Sequence, residues 1–427
     1  MKQSKSLTLI LILFAAFLIR IITWYGGISD ASRYKEPDSS DYLCLAQNLY
    51  EHGKYEKDGN PEIFRTPGYP AFLVIFLSSG FPEKVVCFVQ ICLDVFLCYL
   101  VWLFSRRLFG DKAAILALLF QSFSLVNIVY SCRVLSETIF ALFLMIFFLM
   151  LFSMKITKPS INWFASITAG VTLSCAVYFR FVVFPWAILP ILLLLWWRAW
   201  RETIILLIVI LALIGPWVLR NHFVAGYNNF SSVASINLYR YNACMLMSSQ
   251  NDISFKEQQT IIDKEFSAYK TQKEKAQFAA KSGIKVILSN PVEYAALHLK
   301  TILTNLLPIT GEWLKTFGIK IGGNGTLSVI RDGGIIQGIK HYFNNNWIYF
   351  FLALPTIVWL MIIYFLTAYG CLQIRSNEFR VEIIILLATI GYFLAVPGGA
   401  ALPRFRVPVA PMMSILAGLG WIKFSNR

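Results

Sequence analysis

Apolar residues in this chain do not recur at the every-third-or-fourth spacing of a half-buried helix. They run together in blocks of roughly twenty, long enough as helices to cross about 30 Å of hydrocarbon. The blocks predict spans near 7–24, 85–105, 113–130, 134–154, 162–180, 182–197, 203–219, 346–369, 381–397 and 407–423. The expected fold class is an all-α polytopic membrane protein of about 10 transmembrane helices, with interfacial helices in its outer-face loops. Met1–Trp24 reads as a retained first span, since no small-x-small cleavage site follows it. Pro67–Ser79 is apolar but too short to span, which suits a re-entrant or outer-leaflet helix. Val292–Leu307 is interrupted by His298 and Lys300 and reads as an interfacial helix.

Two polar regions break the apolar pattern, at about 25–66 and 220–345. They divide the chain into a core at 1–219 carrying the loop 25–66, an extracytoplasmic region at 220–345, and C-terminal helices at 346–427. In the first region a helix is predicted from Pro37, with Tyr42, Leu45, Ala46 and Leu49 on one face and Gly53 ending it. In the second, Ser254-Phe-Lys-Glu257 is a capping box. Behind it Ile262, Phe266 and Tyr269 form an apolar stripe.

Composition agrees: 57% of residues are hydrophobic and 14% charged, where a soluble chain carries about a quarter charged. The net charge of +15 does not point to nucleic acid, because many Lys and Arg occupy short loops at the ends of apolar blocks. With the N-terminus inside, the inner loops hold Lys2/Lys5, Arg106/Arg107/Lys112, Lys155/Lys158, Arg198/Arg201, Arg375/Arg380 and Lys423/Arg427. This is the positive-inside pattern, with both termini cytoplasmic. An eleventh span at 292–307 would leave Arg375 and Arg380 outside. Cys87, Cys92, Cys98 and Cys175 lie inside apolar blocks and no CxxC occurs, which argues against a zinc site of the usual spacing. "GIKIGGNGTLSVIRDGG" lacks the GK[ST] ending of a phosphate loop and reads as a connection, so no nucleotide cofactor is expected.

Chemistry-bearing residues gather at the outer ends of the spans. Asp38 and Asp41 have two readings: an N-cap acid and its helix-dipole partner, or a reactive pair. Glu137, in "CRVLSE", is either a solvated glutamate near Arg133 or an acid facing a cavity. Arg65, Arg404 and Arg406 offer guanidinium forks to phosphate oxygens, with headgroup anchoring as the alternative for the last two. Arg180 and Arg220 read as anchors. Tyr42 and Tyr69 suit an interfacial belt or a sugar platform.

Several stretches, in order, resemble a known family. "DSSDYLCLAQNLYEHGKY", "FRTPGYPAFL", "SCRVLSETIFALFL", "GPWVLRNHFVAG" and "LPRFRVPVAP" are similar to segments of the GT-C glycosyltransferases that use polyprenyl-phosphate sugars. The resemblance is to the protein-mannosyltransferase-like branch, glycosyltransferase family 39 and its bacterial relatives, including the lipid A aminoarabinose transferases. One departure is that Ser39 follows Asp38 where members often carry Asp-Glu. The resemblance implies a GT-C-type helical bundle in a bacterial inner membrane, with its active site on the outer face. It implies an inverting transferase that moves a sugar from a polyprenyl-phosphate carrier to a glycan, lipid or protein acceptor. Asp38 is then the base, and Glu137 either joins it in holding a divalent cation or fixes the acceptor. Asp41, Tyr42, Arg65, Tyr69, Arg133, Arg404 and Arg406 are the expected substrate contacts. The competing readings are a transporter or flippase of lipid-linked saccharide, and an O-antigen polymerase or ligase with a diphosphate carrier.

Overall fold

The computed structural model describes residues 2–156, 162–322, 336–372 and 381–426. Most of the glycine-rich connection and the basic residues Lys158, Arg375, Arg380 and Arg427 lie outside the described residues. The described residues are mostly helical, and among them the one sheet is a hairpin that pairs Glu56–Lys57 with Asn60–Pro61 inside the first polar region.

Among the described residues five helices are long and apolar enough to cross a membrane: Ser6–Gly27, Pro82–Phe109, Glu137–Met154, Trp200–Ala225 and Trp347–Leu372. Trp163–Phe179, Val183–Trp196 and Val381–Ala395 are apolar but shorter, and the last expected span is the 16-residue helix Ala410–Ser425. All ten expected blocks are thus helical, but not all are full-length spans.

The block 113–130 is not one straight helix. It breaks into Asp111–Ser122 and Leu125–Ser131, set at 52° to each other. A charge pair buried between neighbouring helices lies at this break. Arg20 and Asp94 are fully buried and 2.6 Å apart, and Arg20 Nη1 donates to the Ser122 carbonyl at 2.9 Å. That contact satisfies a carbonyl at the break which no helical amide now reaches.

Close packing falls where glycines permit it. A Cβ on Gly420 would sit 1.9 Å from the Leu366 carbonyl oxygen, so helix Trp347–Leu372 and helix Ala410–Ser425 approach backbone to backbone. A Cβ on Gly68 would lie 2.6 Å from the Tyr178 backbone. Gly68 opens the short helix Gly68–Val74, the form taken by the expected non-spanning segment.

The second polar region folds as a cluster of short helices with its own small core. Ser254 caps helix Phe255–Ser267 through reciprocal bonds with Glu257, and Ile262 and Phe266 pack inward against Tyr239 and Ala279. Tyr269 stacks on Phe278 at 4.7 Å. Val292–Leu307 falls on the 15-residue helix Pro291–Asn305, which exposes Val292, Leu299 and Leu303.

Candidate active site

The site begins with how helix Pro37–His52 is started. Its N-cap is Glu36 and its first residue is Pro37, so Asp38 lies inside the first turn and is not the cap. The Ser39 hydroxyl accepts from the Glu36 backbone N–H at 2.9 Å and donates to the Val134 carbonyl at 2.8 Å. Ser39 is fully buried, so the position where a second acid often follows does not face solvent. Gly53, at φ 63°, ends the helix. Tyr42, Leu45 and Ala46 bury the face that holds it down, leaving Asp38 and Asp41 free to turn elsewhere.

They turn into a cavity of about 640 Å³. Its polar wall is formed by Asp38, Asp41, Tyr42, Arg65, Glu137, Arg180 and Arg404, and its far side by the segment Val233–Asn242. Arg65 Nη2 lies 2.7 Å from Asp38 Oδ1, and Arg404 Nη2 lies 2.8 Å from Asp38 Oδ2. Arg65 also donates to Asp41 through Nε at 3.1 Å and Nη2 at 2.8 Å. Lys57 reaches the other Asp41 oxygen at 2.6 Å. Glu137 is 2% exposed; its Oε1 is 2.5 Å from Arg180 Nη1 and 3.9 Å from Arg404 Nε.

These contacts set the charge state. Burial alone would raise the Asp38 pKa, but Arg404 and Arg65 outweigh it and hold the carboxyl at about 2. Asp41 is likewise below its usual value, as bonds from Lys57 and Arg65 overcome its burial. Arg65 and Arg404 remain firmly cationic: burial works against them, and the surrounding anions reverse that.

The structure brings Asp38, Asp41, Tyr42, Arg65, Glu137 and Arg404 to one cavity. It does not bring Tyr69, Arg133 or Arg406 to that wall. Tyr69 is fully buried behind Tyr42 and donates to Gln90 at 2.8 Å. Arg133 pairs with Glu36 and, at 2.8 Å, with Glu312, tying the loop to helix Thr310–Thr316. Arg406 turns away: its Nη1 donates to the carbonyls of Asn305 and Leu307, each at 3.0 Å, and to the Tyr364 hydroxyl at 2.6 Å. Pro403–Arg406 is a 3-10 helix, in which residues two apart point in different directions, so Arg404 and Arg406 cannot share a face.

Glu137 is not a solvated partner of Arg133; its partners are Arg180 and Arg404. Arg180, expected as a headgroup anchor, lines the cavity and stacks over Phe405 at 5.3 Å. The signal that could have found it is a buried Glu137 needing a cation. Arg220 is a loop tie, donating to the carbonyls of Glu62 at 2.8 Å and Tyr55 at 2.6 Å.

The residues do not fit the divalent cation considered for Asp38 and Glu137. Both Asp38 oxygens are taken by guanidinium groups, and Arg404 contacts both carboxylates. Among the described residues no group of three or more His, Cys, Asp or Glu side chains is placed to hold a metal.

Residues 65–219 match the family described as dolichyl-phosphate-mannose-protein mannosyltransferase. Comparison with curated proteins gives no significant match. Among solved structures, ArnT from Cupriavidus metallidurans bound to undecaprenyl phosphate superposes with a TM-score of 0.50 at 12% identity, over 95% of this chain and 59% of that one. Its apo form gives 0.52 at 13% identity, over 97% and 59%. The oligosaccharyltransferase AglB from Archaeoglobus fulgidus, in complex with an inhibitory peptide and a dolichol-phosphate, gives 0.53 at 14%, over 100% and 51%. The chain thus spans somewhat more than half the length of these proteins. The chain thus shares the fold of these two proteins, and its segment 65–219 is similar to the mannosyltransferase family.

Proposed function

We propose that the protein is an inverting glycosyltransferase that moves a sugar from a polyprenyl-phosphate carrier to an acceptor hydroxyl. The observation that carries this reading is one carboxylate, Asp38, held in a cavity between Arg65 and Arg404. Asp38 accepts the proton of the acceptor hydroxyl as its oxygen bonds to the anomeric carbon from the face opposite the phosphate. The anomeric C–O bond to phosphate breaks, and its electron pair leaves with a phosphate monoester. That leaving group departs as an anion and needs no acid, so positive charge is what it requires. Arg65, Arg404 and Arg180 supply that charge.

The lipid-linked donor draws support from the two structural neighbours, which carry undecaprenyl phosphate and dolichol-phosphate. The basic residues of the inner loops support an outer-face reaction with both termini cytoplasmic, and the family resemblance supports a bacterial inner membrane as its setting. The acceptor belongs to cell-envelope glycan or lipopolysaccharide. In this reading the core at 1–219 supplies the base, 220–345 walls the acceptor side, and 346–427 brings in Arg404.

The test is turnover of the purified protein with a panel of polyprenyl-phosphate sugars, for wild type and Asp38→Asn. One general base contributes about 10²–10⁴ in rate, and the variant should lose about that much. Undiminished turnover would remove Asp38 from the role. Uptake of lipid-linked saccharide into proteoliposomes without a glycosidic product would favour a transporter instead.

A further inference from the structure

The two arginines on Asp38 are not held alike. Arg65 is fixed from behind, bonded to Asp41 through both Nε and Nη2. Arg404 has no second bond of that kind. Its Nε is buried without a hydrogen-bond partner, and so is Glu137 Oε2. These two unsatisfied groups belong to neighbours, with Arg404 Nε 3.9 Å from Glu137 Oε1. The same Glu137 oxygen is steadied by Arg180 Nη1 at 2.5 Å.

A shift of Arg404 by roughly an ångström would bring Nε to hydrogen-bond distance of Glu137. It would give the bare Arg404 Nε, a donor that is costly to leave unpaired in a buried site, a partner in Glu137 Oε1. The same movement would withdraw Nη2 from Asp38 Oδ2 and turn the guanidinium's outer nitrogens toward the cavity. An anion arriving there would favour the shifted position, because it replaces the charge that Asp38 supplied. A ligand moves such an equilibrium only by binding one position better than the other, and a phosphate satisfies that condition for Arg404.

We infer that Arg404 has two seats, on Asp38 before the donor binds and on Glu137 once a lipid phosphate occupies the cavity, so that Glu137 is the positioning residue that frees Asp38 to take a proton. The inference rests on the proposed role of Asp38 as base. Its consequence is that the base is masked until the donor is in place, which protects an activated sugar from premature attack. Asp41 has no such part, because it holds Arg65 in a single position.

The experiment compares structures of the full chain in lipid nanodiscs with and without sugar-free undecaprenyl phosphate. With the carrier bound, Arg404 Nε should lie within about 3 Å of Glu137 and Asp38 Oδ2 should be open. Retention of the Arg404–Asp38 contact in the complex overturns the inference. Kinetics give a second readout. Glu137→Gln should lower kcat by about tenfold or more at saturating donor, with little change in donor KM. An unchanged kcat also overturns it. Should that variant fail to fold because Arg180 loses its partner, the wild-type structures decide alone. Failure of the underlying reading looks different: turnover retained in Asp38→Asn removes the base, whereas an inactive Asp38→Asn beside an unaffected Glu137→Gln removes only the second seat.

Discussion

Arg404 Nη2 stands 2.8 Å from Asp38 Oδ2, although 366 residues separate the two in the chain. One end of the contact is a helix in the first polar region, and the other is the 3-10 turn that leads into helix Ala410–Ser425. The contact closes the candidate site by joining the first and last parts of the fold. Much of what can be measured about this protein follows from it.

Removing either arginine that holds Asp38 should weaken use of the lipid donor. A charge-assisted hydrogen bond contributes about 1.5–3 kcal/mol, so Arg65→Ala and Arg404→Ala should each lower kcat/KM for a polyprenyl-phosphate sugar by about ten- to a hundredfold. Arg406→Lys should leave donor use nearly unchanged, since Arg406 bonds carbonyls and a phenol away from the cavity. Steady-state kinetics on the three variants check this, and equal losses for Arg404 and Arg406 would count against the assignment.

Asp38 competes with a phosphate for the same two guanidinium groups. Asp38→Asn should therefore bind sugar-free polyprenyl phosphate more tightly than wild type, on the order of tenfold for one relieved charged competitor, while turning over less donor. A gain in affinity cannot come from damaged folding. Binding measured in nanodiscs by native mass spectrometry gives the answer, and weaker binding would refute the competition.

The depressed Asp38 pKa also links the site to stability. Its folded value of about 2 lies below the ordinary 3.8, so between these values the group binds fewer protons folded than unfolded. The resulting stabilisation is complete above the unfolded value and is lost as pH falls toward about 2. The difference in Tm between wild type and Asp38→Asn should be full from about pH 5 upward and close between about pH 4 and pH 2. Thermal unfolding in detergent across that range tests it; a gap independent of pH would contradict the ion pairing.

The buried Arg20–Asp94 pair makes a separate prediction about the fold. Breaking such a pair from one side strands a charge and costs about 3–5 kcal/mol, whereas replacing both partners with apolar residues is far milder. Arg20→Met should lower Tm markedly, and adding Asp94→Leu should restore part of the loss. A double variant no more stable than Arg20→Met would show that the bond to the Ser122 carbonyl, not the charge pair, is what matters there.

The sequence by itself determined the membrane class and the helical blocks, because crossing hydrocarbon demands long apolar runs that any reading of the chain reveals. It also determined the capping box at Ser254 and the stop at Gly53, each set by residues within a turn or two of itself. Only the tertiary structure decided what depends on distant partners. Whether Asp38 capped its helix stayed open until Glu36 was seen to cap it and Arg404 to meet Asp38 from the far end of the chain. The block 113–130 read as straight because nothing local announces that Arg20 reaches Ser122. Arg406 read as Arg404's companion until the backbone proved to be a 3-10 turn, and Arg180 read as an anchor until Glu137 was found buried against it. The physical reason is the same in each case. A charge taken out of water must meet its counter-charge or a hydrogen-bonding group, and in this chain that partner is supplied by a helix far away in sequence.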